Sequence, residues 1–224
     1  MADGSTGIGG NAGRGRQAGP RCVALVGPFA SGKTSLLEAI LERTGAIPKA
    51  GRVADGTSLG DAAPEARAHR MGVELNVADC EFLGERFTIL DCPGSVEFLF
   101  EGEAVLPGVD MAVVVCEADQ KKIPALQLTL KLLETRGVPH VLFLNKIDKA
   151  DQSLRETLEL MQTASTVPMV LRQIPIWKEG IAIGTIDLAL ERAHVFREHA
   201  ESEIVPIPDA DRAQEVEARY QMLE

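Results

Sequence analysis

The sequence predicts an α/β fold: a mostly parallel sheet with helices on its faces, a hairpin along one edge, and an α+β insert subdomain after it. Three observations carry this. Short apolar runs alternate with amphipathic stretches at helical spacing, the pattern of parallel strands joined by right-handed crossovers. A glycine-rich loop sits where one such strand turns into a helix. After Thr166 the pattern changes to short strand-like pieces between proline-flanked turns, which places a boundary near Ser165. The expected organisation is a tail over 1–20, a main domain over 21–165 and an insert over 166–224.

Met1 to Pro20 holds seven glycines and two arginines, Arg14 and Arg16, with no apolar stretch. It reads as a disordered tail and not as a signal peptide, and two arginines are too few for an RNA-binding arm. Order begins at Arg21. Cys22 to Val26 is a short apolar run ended by Gly27, as in a buried parallel strand. Ser35 to Arg43 spaces its apolar residues for a helix, with Gly45 as the stop. From Ala46 to Arg70 the text is polar and small, a loop too long to be a mere connection. Val73, Leu75 and Val77 alternate with polar residues, Leu83-Gly84-Glu85 reads as a turn, and Phe87 to Leu90 is a second strand, which makes a hairpin. Met111 to Cys116 and Val138 to Leu144 bracket a helix from about Pro124 to Arg136. Another helix is expected over Ser153 to Ala164, strand pieces over Val167 to Ile176 and Ile181 to Ile186, and a last amphipathic helix over Asp209 to Leu223.

A length of 224 residues allows one large domain or a domain with an appendage. Lys plus Arg is 23 against 33 for Asp plus Glu, a net charge of −10, which argues against neutralising many phosphates of DNA or RNA. Four cysteines without a C-x-x-C pair offer no zinc set and no disulfide framework, so the default is a reduced, cytoplasmic chain. No apolar run is long enough for a membrane span.

Three motifs carry the chemistry. Gly27-Pro28-Phe29-Ala30-Ser31-Gly32-Lys33-Thr34 fits G-x-x-x-x-G-K-[ST] between a strand and a helix. Its backbone N–H groups, extended by Ser35 at the helix start, would surround phosphate oxygens. Lys33 would reach the β- and γ-phosphates, and the Thr34 hydroxyl would ligate Mg²⁺. Asp91-Cys92-Pro93-Gly94 ends the hairpin's second strand: Asp91 would hold the magnesium shell, and the N–H of Gly94 would sense a γ-phosphate. Asn145-Lys146-Ile147-Asp148 follows an apolar strand. Guanine shows two adjacent donors that one carboxylate accepts, so Asp148 would select it, with Asn145 bracing the loop and the Lys146 stem over the base. Together the three read as a site for GTP or GDP with Mg²⁺.

These motifs, in this order and around a long polar loop, resemble the translational GTPases, and among them elongation factor G and its paralogues. Asp55-Gly56-Thr57, Gly94 to Phe98 and the Val113 to Glu117 strand are similar to successive parts of that family's G domain. Val167-Pro168, Ile174-Pro175-Ile176, Gly184 to Leu188 and Val205 to Pro208 resemble the insert of elongation factor G. The resemblance implies a P-loop GTPase fold, GTP hydrolysis and action on the ribosome in translocation or disassembly. It further implies a monomer that meets the ribosome mainly through domains this chain does not carry, and that binds neither DNA nor membrane. Against the family pattern the closing strand and last guanine loop are missing, so a fragment or truncated product is expected.

Ser95 stands where the family carries the histidine that orients the attacking water. Pro28 and Ala30 stand where it carries His and Asp. No threonine precedes the hairpin, where Glu74 stands, and Thr57 is too far away to substitute. The expected catalytic pair is therefore Lys33 with only a poor contribution from Ser95, and hydrolysis that is slow or differently arranged. The competing reading is a GTP-binding interaction module with little turnover; an ATP-binding protein is disfavoured by Asp148. Among the remaining residues, Cys80 and Cys116 read as core, the histidines as surface or capping groups, Trp177 as packing, Lys121-Lys122 as a solvated helix start, and Glu97, Glu101 and Glu103 as an acidic face.

Overall fold

The computed structural model describes residues 21–52, 55, 57–58, 75–95, 104–149, 153–197 and 200–223. Expectations for the tail, for Glu74, His69 and His199, and for Glu97, Glu101 and Glu103 lie outside them.

Side chains of a strand alternate between its faces, and β1 (Arg21–Val26) uses that alternation to join two cores. Its partners are β3 (Glu85–Asp91) and β4 (Met111–Cys116), both parallel to it, with Val23 level with Ile89 on one side and Met111 on the other. Ala24 and Val26 pack with Leu90, Ala112, Val114 and Cys116 against Leu126, Leu130 and Leu133 of α2 (Ile123–Arg136). Leu25 belongs to the other core, with Ile89 and Cys80, against Leu37 and Leu41 of α1 (Lys33–Arg43). A strand covered on both faces is the reason Cys22 to Val26 reads as a continuous apolar run.

With β2 (Asn76–Phe82) and β5 (His140–Leu144) the sheet order is β2-β3-β1-β4-β5, and only β2 is antiparallel. The hairpin therefore lies on an edge, as expected; its first strand starts at Asn76, one residue after Leu75, and Val73 of the expected alternation lies outside the described residues. Seven cross-strand pairs run from Asn76–Asp91 to Phe82–Glu85, and the turn is Leu83-Gly84 alone, with φ of 52° and 77°. Two consecutive positive φ values fit the right-handed twist of a two-residue hairpin, so Glu85 pairs instead of turning.

Beyond α3 (Leu154–Gln162), which starts in a Ser153–Glu156 capping box, a second sheet follows. Its strands are β6 (Gln173–Lys178), β7 (Ile181–Asp187), β8 (Arg192–Val195) and β9 (Glu203–Val205), all antiparallel in that order. The expected strand over Val167 to Ile176 begins only at Gln173, and β8 and β9 are additions to the sequence reading. Ile174, Ile176, Ile186, Leu188 and Ala193 form its core with Ala218 of α4 (Arg212–Leu223). The link between the sheets is tied down: the Ser165 and Thr166 hydroxyls both donate to the Glu134 carboxylate at the end of α2. Trp177 stands 47% exposed on the edge strand β6, so packing does not explain it. All four cysteines are free thiols, Cys80 and Cys116 in the core as expected. No helix among the described residues is long and apolar enough to cross a membrane.

Leu130 has no exposed surface while Leu128, on the same helix, is 47% exposed. Leu130→Ala is expected to lower unfolding stability by about 2–5 kcal/mol and Leu128→Ala by under about 1 kcal/mol, measured by urea denaturation; equal losses would place the core elsewhere.

Candidate functional site

The parallel order brings three loops to one end of the sheet. β1 ends in the glycine loop, β3 ends at Asp91, and β5 ends at Leu144, followed by Asn145, whose N–H donates to Cys116 O at 2.7 Å. Ligand sites of open α/β sheets form at such carboxyl ends.

Two glycines set how closely these loops approach. A Cβ on Gly32 would lie 2.3 Å from Asn145 Nδ2, and one on Gly94 would lie 2.2 Å from Lys33 Nζ. The loop after β3 thus passes directly over the lysine head. Gly32 also stands at φ 99° as it opens α1, a conformation side chains rarely take.

Lys33 is buried at the first position of α1, where its ammonium donates to Gly27 O at 3.0 Å and Pro28 O at 3.1 Å. Burial lowers its pKa from 10.5 to about 8, against the pull of Asp91 and Cys92. Thr34 Oγ1 donates to Asp91 Oδ2 at 2.7 Å, across 57 residues of sequence. Asp91 Oδ1 is buried with no hydrogen-bond partner among the described residues. Burial raises the Asp91 pKa, opposed by the Thr34 bond and by Lys33. A hydroxyl and a carboxylate side by side, one oxygen of which lacks a donor, form the hard-oxygen pair that fits Mg²⁺. Cys92 is pushed up to about 12, chiefly by burial, so it stays a thiol and has no redox reactivity of the thiolate kind. Ser95 Oγ and Ser31 Oγ are also buried without partners among the described residues.

On the other side of the loop, Asn145 Nδ2 donates to Ser31 O at 2.9 Å, and Lys146 Nζ donates to Ala30 O at 2.6 Å. Asn145 Oδ1 accepts from the Lys146 N–H at 2.9 Å, which fixes the amide's orientation. Asp148 is exposed in the single 3₁₀ turn Ile147–Lys149 that lies against β7. Lys33, Thr34, Asp91, Asn145 and Lys146 therefore come together at the glycine loop, while Thr57 is exposed and engaged with Arg52 through its hydroxyl, at 2.9 Å from the Arg52 N–H.

One reading is corrected. Lys122 is no solvated helix start: its side chain is only 25% exposed, and it donates to Phe29 O of the glycine loop at 3.2 Å and to Glu117. Glu117 and Lys122 escape a sequence reading because neither lies in a motif, and a Lys pair before a helix has the pattern of a surface.

Comparison with known proteins agrees with this geometry. The family described as elongation factor Tu GTP binding domain matches residues 20–212. An elongation factor G-like protein of Synechocystis sp. is 39% identical over 91% of this chain, and elongation factor G 2 of Streptomyces coelicolor is 32% identical over 91%. The chain spans about 30% of the length of these relatives. A crystal structure of a protein from Thermus thermophilus superposes with a TM-score of 0.79 and 32% identity, covering 91% of this chain and 30% of that one.

The buried Lys33 ammonium gives a testable pH dependence. Its folded pKa, about 8, lies below the ordinary 10.5, so between those values the unfolded chain holds a proton that the folded chain has released. Stability therefore rises with pH across that window, and below about pH 8 the folded state carries the full cost. In urea denaturation without nucleotide, wild type is expected to gain about 2 kcal/mol relative to Lys33→Met between pH 7.5 and 9.5. A constant difference would mean the ammonium is not desolvated.

Proposed function

The chain belongs to the elongation factor Tu GTP-binding domain family, and from that premise we propose that it is the nucleotide-binding part of an elongation factor G-like translation factor that acts on the ribosome in the cytoplasm. In this reading residues 21–165 form the G domain and 166–224 the insert characteristic of elongation factor G. The family as a whole binds and hydrolyses GTP; translocation or ribosome disassembly is the step proposed for this chain.

The observation that carries the reading is the convergence of three separated segments on one loop: Lys33 across it, Thr34 on Asp91, and Asn145 on Ser31. GTP is the substrate. The N–H groups of Phe29 to Ser35 would face its phosphates, with Lys33 leaving its carbonyl acceptors to meet the β- and γ-oxygens. Thr34 and Asp91 would hold Mg²⁺, which when bound supplies Lewis-acid stabilisation of the phosphoryl charge. Asp148 would accept the two guanine donors. Cys92, Pro93 and Gly94 carry the chain past Lys33, where the Gly94 N–H would report the γ-phosphate.

Ser95 limits the chemistry. A serine hydroxyl is shorter than an imidazole and is not basic at neutral pH, so it does not orient and activate water from the same backbone position. Its buried Oγ, without a partner among the described residues, favours hydrolysis that is slow or dependent on a group supplied from outside. The same feature supports a second reading, in which the domain signals by GTP occupancy with little turnover.

Single-turnover GTP hydrolysis with and without ribosomes decides between them. The native chain is expected to be slow, with ribosome-stimulated turnover rising about 10-fold or more in Ser95→His; a native rate that matches the histidine variant would remove the argument from Ser95. Competition should favour GDP over ADP, and Asp148→Ala should abolish that preference.

A further inference from the structure

The nucleotide reading leaves one carboxylate unused. Glu117 follows β4, its side chain 16% exposed. It accepts from Lys122 and, at 3.1 Å, from Lys146. Burial alone would push its carboxyl up, yet the bonds from the two ammonium groups hold it below its ordinary value. A partly buried carboxylate between two lysines is a firmer anchor than an exposed ion pair, because solvent screens it less.

Each of these lysines has its other partner on the glycine loop, Lys122 on Phe29 O at 3.2 Å and Lys146 on Ala30 O at 2.6 Å. Lys33 holds Gly27 O and Pro28 O, and Asn145 holds Ser31 O. The carbonyls from Gly27 to Ser31 are thus all held by side-chain donors. In a planar trans peptide the N–H points opposite to the carbonyl. Fixing the carbonyls of Phe29 and Ala30 therefore fixes where the N–H groups of Ala30 and Ser31 point: the Ser31 N–H donates to Pro28 O at 3.3 Å and closes the loop's turn, and the Ala30 N–H is a group that would meet phosphate.

Backbone strain marks the same contact. Ala30 and Lys146 both stand at φ 55°, in the left-handed region that non-glycine residues seldom occupy, and they meet through the Lys146–Ala30 hydrogen bond. Such conformations persist where the surroundings over-determine them. Glu117 supplies that determination from outside both loops.

We propose that Glu117 and Lys122 are positioning residues that couple the phosphate loop to the base loop, so that recognition of guanine and of phosphate reinforce each other. The proposal rests on the guanine-nucleotide reading above. Through Lys122 the carboxylate sets the loop at Phe29; through Lys146 it sets the base loop and Ala30 together. Neither residue lies in the base loop, residues 145–148, so an effect on base selection is the signature of coupling.

The test is equilibrium titration of the purified chain with GDP and with inosine diphosphate, which lacks the exocyclic amine, in the presence of Mg²⁺. Wild type is expected to prefer GDP. In Lys122→Met the GDP affinity is expected to fall about tenfold and the GDP preference to shrink about threefold or more, with an unchanged melting temperature and recovery in Lys122→Arg. Glu117→Gln, which preserves shape and removes the charge, should do the same and serves if Lys122→Met does not fold. Equal losses for the two nucleotides, or no loss, overturn the coupling. A wild-type chain that takes up no GDP overturns the nucleotide reading, and this proposal with it.

Discussion

The hydrogen bond from Asn145 Nδ2 to Ser31 O joins residues 114 positions apart, and the arrangement of the site depends on it. It is possible because β4 lies between β1 and β5 with all three parallel, so that the loops after the outer two strands emerge on the same side. It is close enough because position 32 is glycine: the space that a Cβ would take is held by the asparagine amide. Sheet order, loop composition and side-chain contact are thus one constraint at three scales. An antiparallel β5 would send its loop to the far end of the sheet, and any side chain at 32 would part the loops.

That constraint explains why the site tolerates a costly lysine. An ammonium buried like that of Lys33 is destabilising in itself, and its lowered pKa, about 8, measures the cost. The two carbonyls it meets return part of this, as does the attraction of Asp91. A phosphate anion would return more, since charge pairs are strong where water is excluded. The same reasoning applies to Asp91, whose carboxyl pKa is raised by burial and which has one oxygen without a donor among the described residues. On the proposed function, a bound nucleotide and cation would return part of what burying the two groups costs. The domain gives up stability at these positions in a way typical of binding sites.

How much of this is legible in the sequence varies with the physical origin of each feature. Strands buried on both faces announce themselves as apolar runs, and β1 and β4 are placed almost to the residue. The glycine loop and the Asn145 to Asp148 turn are legible because their backbone demands are local. β2 is legible as alternation, because an edge strand with one solvated face alternates apolar and polar residues, but its register is set by the Leu83-Gly84 turn. β8 and β9 are four and three residues long, and only pairing, of β8 with β7 and of β9 with β8, gives them strand character. Trp177 is half-exposed because it sits next to the bulge in an edge strand, which no local pattern encodes. Glu117 and Lys122 are invisible for a different reason: their role lies in a contact with Phe29, 93 residues from Lys122.

The net charge of −10 looks ill-suited to a ligand that is itself polyanionic, and distance resolves the conflict. Charges on the surface are screened over roughly 8 Å at physiological ionic strength, so a phosphate in the loop responds to its neighbours and not to the sum over the chain. Those neighbours include Lys33, Lys122 and Lys146, all engaged with carbonyls of the one loop. Glu117 and Asp91 balance them, but from behind the loop and beside the threonine hydroxyl, where a carboxylate orients a lysine or faces a cation instead of meeting phosphate. Total charge accordingly argues against broad phosphate-backbone binding without bearing on the proposed anion site at the loop.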